Sequence, residues 1–243
     1  MASSALEARR LKSWKIIKRE YHDVPSRDDR FFAEISRWIR EDAAVLDAGC
    51  GYNAEVLLRL RNGRRRLVGV SLEDRFEVEP PIRIARANLE AIPMRDASFD
   101  LVTLRFVCEH LERPVEVFKE VRRILRDGGR AVLITPSFYY YPSLVAALVP
   151  YRLHRFFVTL AFGKSAYANF PTTYRMNTIS DLRALAKAAD LELDTLEPVR
   201  DYPSYLMFSP LLLRIGMAYE RLVTRLRIRS LHACFLATFR KAS

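Results

Sequence analysis

Apolar positions in this chain recur at two spacings, and the alternation of the two outlines the fold. Short apolar runs of strand length lie near residues 44–48, 67–71, 82–86, 99–105, 130–135, 192–198 and 231–239. Segments whose apolar residues recur at helical spacing separate most of these runs. Strands that alternate with helices are typical of a parallel sheet covered by helices on both faces. The pattern therefore predicts an α/β fold.

Three segments interrupt this alternation. Residues 1–40 show helical spacing and predict an N-terminal helical lid before the main domain, residues 41–243. The aromatic segment 137–178 is an insert after the fifth strand, and the segment 202–228 is an insert before the last strand. The second insert contains an amphipathic stretch, Leu211–Leu226. Between the inserts, a helix is predicted over residues 181–189, with Thr178 or Ser180 as its N-cap.

The first strand leads into a glycine turn. The apolar run that ends at Leu46 is followed by Asp47 and by Gly49-Cys50-Gly51, and a helical pattern begins at Ala54. Main chain without side chains can approach a nucleotide closely, and a helix N-terminus exposes unpaired N–H groups. The spacing Gly-x-Gly is a weak signal alone, so its interpretation depends on the motifs that follow.

Four further motifs follow the turn in a fixed order. They are the buried run 66–73 that ends near an acid, residues 87–102, Cys108–Leu111 with the helical pattern 114–125, and Asp127-Gly128-Gly129-Arg130 before the fifth strand. In this order and spacing, residues 41–136 resemble the class I S-adenosylmethionine-dependent methyltransferases of the generic small-molecule branch. The resemblance implies S-adenosyl-L-methionine as the cofactor. Pattern and resemblance predict a doubly wound, mostly parallel seven-stranded sheet with an antiparallel last strand, helices on both faces and a helical, aromatic insert after the fifth strand.

The resemblance also implies which residues bind the cofactor. Asp47 takes the role of the acid that orients the glycine loop and the donor's amino-acid end, although it could simply cap the turn. The full set of expected cofactor contacts is Tyr21, Asp47, Gly49, Cys50, Gly51, Ser71, Leu72, Glu73, Asn88, Leu89 and Arg105.

Several of these positions depart from the family pattern. The third glycine is replaced by Asn53, a residue that tolerates a left-handed backbone. Ser71 stands where an acid usually binds the ribose hydroxyls. Glu73 lies two residues on and supplies the carboxylate if the strand continues, or else is a solvated loop charge. Asn88 replaces an acid near the adenine amino group, and its amide can both accept and donate there, unless it is only a turn residue.

Residues on the acceptor side are less well defined. His110 is the candidate general base, because histidine is the side-chain type that exchanges a proton near neutral pH, with a purely structural role in its loop as the alternative. Tyr21-His22 resembles an N-terminal lid motif in which an aromatic ring covers the donor, or forms an exposed turn. The insert 137–178, with basic residues such as Arg152 and Arg155, suits an apolar or lipid-linked acceptor that bears negative charge. The alternative is an ordinary aromatic mini-core.

Charge adds a second expectation. The chain has 243 residues and a net charge of +11, and residues 202–243 hold seven Lys and Arg against one Glu. A basic, amphipathic segment predicts contact with an anionic membrane surface, unless the charges are merely solvated. Proline interrupts the uncharged run 131–151, so no membrane span is expected there.

Composition adds expectations about the location of the protein, metal sites and nucleic-acid partners. Three widely spaced cysteines are expected to be reduced, and the N-terminus lacks the apolar stretch of a signal peptide, so a cytoplasmic and optionally membrane-peripheral location is expected. The four histidines are scattered and predict no metal site. Nucleic acid is not expected as a partner, because no nucleic-acid-binding motif is present.

The sequence thus predicts methyl transfer to a small or lipid-linked acceptor, mainly through proximity and orientation. A catalytically inactive, methyltransferase-like binding or adaptor protein is the alternative, motivated by Asn53 and Ser71. A dinucleotide-dependent oxidoreductase on a related sheet is disfavoured by the motifs from Asp96 to Gly129. The acceptor, the methylated atom and the oligomeric state are not specified by the sequence.

Overall fold

The computed structural model describes residues 2–63, 65–148 and 171–242. Its helices are α1 (Ala2–Glu20), α2 (Arg27–Trp38), α3 (Glu55–Arg59), α4 (Pro114–Ile124), α5 (Tyr141–Leu148), α6 (Ile179–Ala188) and α7 (Pro210–Arg225). Its strands are β1 (Ala44–Ala48), β2 (Arg66–Ser71), β3 (Arg83–Arg86), β4 (Phe99–Arg105), β5 (Leu125–Pro136), β6 (Glu192–Val199) and β7 (Cys234–Arg240). Short 3-10 turns occur at Cys108–His110, Ser204–Leu206 and Arg229–Leu231.

The seven strands form one sheet in the order β3-β2-β1-β4-β5-β7-β6. The pairs β1–β2, β1–β4, β2–β3 and β4–β5 are parallel. Strand β7 runs antiparallel to β5, because Lys241 N–H donates to the Gly129 carbonyl at one end and Ser137 N–H donates to the Ala233 carbonyl at the other, both at 3.0 Å. The predicted mostly parallel, seven-stranded sheet with an antiparallel last strand is therefore confirmed.

Side chains from both faces of the sheet form the main core. All five residues of β1 are buried, as expected of a central parallel strand covered on both faces. Helix α4 turns its apolar stripe onto the sheet, and its Phe118 ring lies 5.3 Å from the Phe239 ring of β7 in an edge-to-face arrangement. The apolar periodicity of the sequence thus corresponds to real burial.

Some element boundaries differ from the sequence prediction. Thr178 is the N-cap of α6, since its hydroxyl accepts from Asp181 N–H at 3.1 Å and the Asp181 carboxylate accepts from Thr178 N–H in return. The last strand was predicted from residue 231 but begins at Cys234, because residues 229–231 form a 3-10 turn instead. The fifth strand begins early, at Leu125, directly after α4.

The chain forms two compact units, residues 1–30, 136–172 and 198–234 in the first, and residues 31–135, 173–197 and 235–243 in the second. The predicted helical lid of residues 1–40 stays a prediction, and the division between the two units falls after residue 30. Helix α2 continues into the second unit, where Glu34 accepts hydrogen bonds from Thr238 Oγ1 at 2.6 Å and Thr195 Oγ1 at 3.3 Å. These bonds fasten the helix to the last two strands of the sheet.

Part of the predicted aromatic insert, residues 149–170, lies outside the described residues. This part includes Arg152 and Arg155, so the basic rim expected of an acceptor pocket there stays a prediction. Within the described ranges, no helix is both long and apolar enough to cross a bilayer.

Candidate functional site

The expected cofactor residues follow three neighbouring parallel strands. Strand β1 lies between β2 and β4, and Asp47 is in register with Gly69 of β2 and Thr103 of β4. Because parallel strands end at the same edge of a sheet, the loops that follow β1, β2 and β4 lie side by side. The structure thus brings Gly49–Gly51, Ser71 and Arg105 to one edge.

Asp47 is a buried carboxyl group held by the neighbouring strand. Only 2% of it is exposed, and its Oδ1 accepts a hydrogen bond from Thr103 Oγ1 at 2.7 Å. Burial raises the pKa of Asp47 to about 7, although the Thr103 hydroxyl and the charge of Arg105 act in the opposite direction. This geometry fits a residue that stiffens the base of the glycine loop.

The two glycines of the loop are needed for different reasons. Gly49 has φ +81°, and its N–H donates to the Val70 carbonyl at 2.8 Å. A Cβ at Gly49 would lie 2.5 Å from Cγ2 of Val107, so contact within the protein excludes a side chain there. A Cβ at Gly51, which has φ +65°, would have no described heavy atom within 4 Å. Gly51 is therefore the glycine whose bare main chain faces open space.

The left-handed residue at the end of the loop is Ala54, and Asn53, which replaces the family's third glycine, does not have a positive φ. Ala54 has φ 43° and ψ 45° and is fully buried at the start of α3. Helix α3 spans only Glu55–Arg59, shorter than predicted, and its first turn has no side-chain cap. A single turn has little macrodipole, so the helix N-terminus adds little to anion binding here.

The chain leaves β2 at Ser71, and this changes the geometry expected for Glu73. The argument that both residues point to the same side required the strand to continue, but the strand ends at Ser71. Instead, Glu73 N–H donates to the Ser71 hydroxyl at 3.3 Å and forms a tight local turn. Leu72 is 53% exposed in this turn. A role of Ser71, Leu72 and Glu73 in ribose binding stays a prediction.

Asn88 and Leu89 follow β3 in a second tight turn. The Asn88 Oδ1 accepts a hydrogen bond from Glu90 N–H at 3.1 Å, so the side-chain oxygen already has a partner within the turn. The Leu89 side chain is buried in the main core, which leaves its main chain as the part available to a ligand. Adenine contact by either residue stays a prediction.

Arg105 links the end of β4 to the loop after β1. Its Nη1 donates to Glu55 Oε2 at 3.2 Å, and 22% of its side chain is exposed. Sequence reasoning missed Glu55 and Val107, which define the loop. The acid in the first turn of the helical pattern was the available signal for Glu55, whereas no local signal indicates the contact of Val107 with Gly49.

His110 and Glu109 occupy the 3-10 turn after β4. The Glu109 carbonyl accepts from Thr173 N–H at 2.7 Å and Tyr174 N–H at 3.1 Å, while its side chain is buried. Glu109 thus anchors the segment that leads back into α6. His110 is half-buried, its N–H donates to the Val107 carbonyl at 3.0 Å, and its role as general base stays a prediction.

Tyr21 belongs to the first compact unit. Its ring lies 6.4 Å from the ring of Tyr202 at 74°, and burial raises the pKa of its hydroxyl. The cleft beside it has a volume of about 300 Å³ and is also lined by Trp14 and Asp201. The lid role of Tyr21 stays a prediction.

Comparison with known proteins identifies the central region. Residues 46–133 match the family model described as a methyltransferase domain. A Mycolicibacterium smegmatis protein named "Probable S-adenosylmethionine-dependent methyltransferase" is 33% identical over 100 residues, which are 38% of this chain and 38% of the relative. The tRNA U34 carboxymethyltransferase of Cellvibrio japonicus is 28% identical over 106 residues, 39% of this chain and 33% of the relative.

Solved structures give the same architecture. A chain from the complex of the Haloferax volcanii Trm112 methyltransferase activator with a candidate methyltransferase superposes with a TM-score of 0.61 at 16% identity, covering 98% of each chain. Residues 46–133 of this chain thus match a methyltransferase domain, and the fold is that of the class I, Rossmann-like methyltransferases, as predicted. The chain covers 38% and 33% of the two curated relatives, so the similarity concerns the domain and not their full length.

Proposed function

We propose that the protein transfers the methyl group of S-adenosyl-L-methionine to a small or lipid-linked acceptor. The observation that carries the proposal is the open main chain at Gly51, at the edge where β1, β2 and β4 end. In open α/β sheets, ligands bind in the crevice outside these strand ends. The family match of residues 46–133 and the name of the Mycolicibacterium smegmatis relative support methyl transfer from this cofactor.

The loop and its neighbours fit the proposed cofactor. The main chain at Gly49–Gly51 would hold the methionine and ribose portions, Ser71 and Glu73 would bind the ribose hydroxyls, and Asn88 would hold the adenine. The cofactor supplies an electrophilic methyl group on a sulfonium. The protein's own contribution is to hold the acceptor in line with that group and to exclude water, a contribution that needs no metal ligand from the chain.

A matched pair of variants tests the cofactor site. Gly51 and Gly128 both have positive φ, +65° and +74°, and a Cβ at either would meet no described atom within 4 Å. Gly51→Val and Gly128→Val should therefore suffer similar backbone strain, while only Gly51→Val fills the proposed cofactor space. We expect calorimetric titration with S-adenosyl-L-homocysteine to show binding by the wild type and Gly128→Val and at least tenfold weaker binding by Gly51→Val. Equal affinities in both variants would rule out this location.

Measurements of cofactor binding and of turnover distinguish an active enzyme from an inactive binding or adaptor protein. The inactive binding or adaptor protein predicts cofactor affinity without methyl transfer to any fraction of a cell extract supplied with radiolabelled S-adenosyl-L-methionine. Label in a small-molecule or lipid fraction would support the proposed enzyme. Label in tRNA would show that the acceptor is a nucleic acid and that the proposed acceptor class is wrong. The tRNA fraction is included because one relative is named for tRNA modification.

A second part of the proposal concerns helix α7, which we infer to contact an anionic membrane. Leu213, Met217 and Glu220 face inward, but an outward stripe on and just beyond the helix is exposed: Leu211 (70%), Ile215 (57%), Leu222 (54%) and Leu226 (57%). Exposed arginines flank this stripe at 214, 221 and 225. Apolar residues flanked by arginine suit a helix that lies in the lipid headgroup region.

Helix α1 packs beside α7 and has a similar exposed composition. Ile17 lies in one apolar cluster with Leu213 and Met217, and Glu20 pairs with Arg221 at 2.7 Å. Outside this contact, α1 exposes Trp14 together with Leu11 and several lysines. Tryptophan favours the membrane interface, so both helices contribute suitable groups.

Vesicle sedimentation tests the membrane contact. We expect the wild type to bind vesicles that contain phosphatidylserine and to be released by high salt, since exposed charges are screened. The variant Ile215→Glu/Leu222→Glu should stay in the supernatant, whereas Tyr139→Glu, which alters an exposed ring outside α7, should bind normally. This part would be overturned if the wild type failed to bind the vesicles. It would also be overturned if light scattering showed that the protein is a dimer whose second copy covers the stripe.

A further inference from the structure

An ion pair joins the end of β4 to the helix that follows the glycine loop. Arg105 Nη1 donates to Glu55 Oε2 at 3.2 Å, across 50 positions of the sequence. The Glu55 side chain is 41% exposed and also lies 3.5 Å from Arg59, one helical turn further on. Ion pairs at such exposure contribute little to the stability of a fold, so little free energy is needed to separate Arg105 from Glu55.

Arg105 points to the same side of β4 as the residue that holds Asp47. Thr103 and Arg105 are two positions apart within the strand, so their side chains leave it on the same side. The Thr103 hydroxyl donates to Asp47 at 2.7 Å. Burial raises the pKa of the Asp47 carboxyl, and the positive charge of Arg105 acts against this rise. Both observations place the guanidinium near Asp47, at the base of the glycine loop.

The backbone beside each member of the ion pair is left-handed. Ala54, directly before Glu55, has φ 43°, and Phe106, directly after Arg105, has φ 52°. Residues with a side chain rarely adopt this conformation, and where they do, the surrounding structure holds them in it, often at ligand-binding sites. The Phe106 N–H, for example, donates to the Ile134 carbonyl of β5 at 3.0 Å. The main chain thus fixes both charged residues near the glycine loop and leaves any exchange of partners to their side chains.

The proposed cofactor carries one anionic group, the carboxylate of its methionine portion. A guanidinium binds a carboxylate through paired N–H donors, and such bonds are stronger than bonds to a neutral acceptor. Helix α3 is so short that it offers little macrodipole to an anion, so binding of the carboxylate depends on side-chain charge. Arg105 supplies this charge, and the group that it binds in the free protein, the Glu55 side chain, is itself a carboxylate.

We propose that Arg105 binds the carboxylate of the cofactor's methionine portion and that Glu55 occupies Arg105 until the cofactor enters. The inference rests on the proposed methyl transfer and assigns the residue that selects a cofactor with an intact amino-acid end. Binding exchanges one carboxylate for another at the same guanidinium, and Glu55 keeps Arg59 as a neighbour. Because Glu55 competes for Arg105, the chain carries a built-in competitor that lowers its affinity for the cofactor.

Two ligands that differ in the amino-acid end test this proposal. S-adenosyl-L-homocysteine carries the carboxylate, whereas 5′-methylthioadenosine has the same adenosine and thioether without the amino-acid end. In calorimetric titration, Arg105→Met should bind S-adenosyl-L-homocysteine about tenfold more weakly or worse, because charged hydrogen bonds are lost, and 5′-methylthioadenosine within about twofold of the wild type. Glu55→Gln should bind S-adenosyl-L-homocysteine about threefold more tightly, because the competing charge is removed, and 5′-methylthioadenosine as the wild type does.

Two control variants remove similar charged groups elsewhere in the same unit. Arg126, near the start of β5, pairs with Asp100 at 2.7 Å, and Glu192, the first residue of β6, pairs with Arg240. Arg126→Met and Glu192→Gln change the net charge as the test variants do. They should leave the affinity for both ligands within about twofold of the wild type, because exposed charges are screened over distance.

Three results would contradict the proposal. It is overturned if Arg105→Met loses affinity for both ligands equally, or if its affinity for S-adenosyl-L-homocysteine is unchanged. An unchanged or weaker affinity of Glu55→Gln for S-adenosyl-L-homocysteine overturns the exchange, whether or not Arg105→Met folds, since Glu55 is partly exposed and its replacement is conservative. Each of these results leaves the methyltransferase proposal intact. If the wild type binds neither ligand, the methyltransferase proposal fails, and this inference fails with it.

Discussion

Replacement of Gly49 by alanine measures how strongly the fold itself requires the glycine loop. The residue has φ +81°, and an added Cβ would lie 2.5 Å from Cγ2 and 2.9 Å from Cβ of Val107. A left-handed alanine costs about 1–2 kcal/mol relative to glycine. Overpacking against a neighbouring side chain costs about 1–3 kcal/mol more. Gly49→Ala should therefore lower the free energy of unfolding by about 2–5 kcal/mol in total.

A second glycine and a second substitution separate the two contributions. Gly128 has φ +74° and no described atom within 4 Å of the added Cβ, so Gly128→Ala should show the backbone cost alone, about 1–2 kcal/mol. Val107→Ala removes both methyl groups that the new Cβ meets. In the background of Gly49→Ala it should recover part of the lost stability, with a coupling energy of about 1–3 kcal/mol.

Urea denaturation followed by circular dichroism gives the four free energies of this double-mutant cycle. If the effects of Gly49→Ala and Val107→Ala were additive within about 0.5 kcal/mol, the contact with Val107 would not be the cause of the extra loss of stability in Gly49→Ala. Equal losses in Gly49→Ala and Gly128→Ala would refute it as well. In either case the requirement for glycine at position 49 would come from the backbone alone.

Two other predictions use the same measurement of unfolding. Thr178→Ala should cost about 1 kcal/mol because the cap to Asp181 is lost, and Ser180→Ala, one residue inside the helix, should change stability by under about 0.5 kcal/mol; the reverse order would exclude the observed cap. The pKa of Asp47 is raised from 3.8 to about 7, so its folded state holds a proton that the unfolded state loses above about pH 4. This stabilising contribution is complete below about pH 4 and is lost as the pH rises to about 7. The stability of Asp47→Asn relative to wild type should therefore increase between these pH values and level off above them, and a pH-independent difference would contradict the raised pKa.

Local sequence determined the sheet, the glycine turn and the helical faces of this protein. The buried run Ala44–Ala48 and the apolar face of α4 were readable because a strand or helix in contact with a core repeats apolar residues at its own period. Glycines at 49 and 51 were readable as a turn because few other residues accept positive φ. The amphipathic helix α7 was found for the same reason, within one residue of its observed start.

Tertiary structure decided what those elements contact. The left-handed conformation fell on Ala54 and not on Asn53, and β2 ended at Ser71 so that Glu73 left the strand. Glu34 tied α2 to the sheet through Thr238, a residue 204 positions away. No periodicity encodes such contacts, because they depend on which distant side chains meet after the strands have paired. The burial of Glu220 follows from the same cause: its position on the helix is local information, but its contact with Tyr140 is a property of the packed unit.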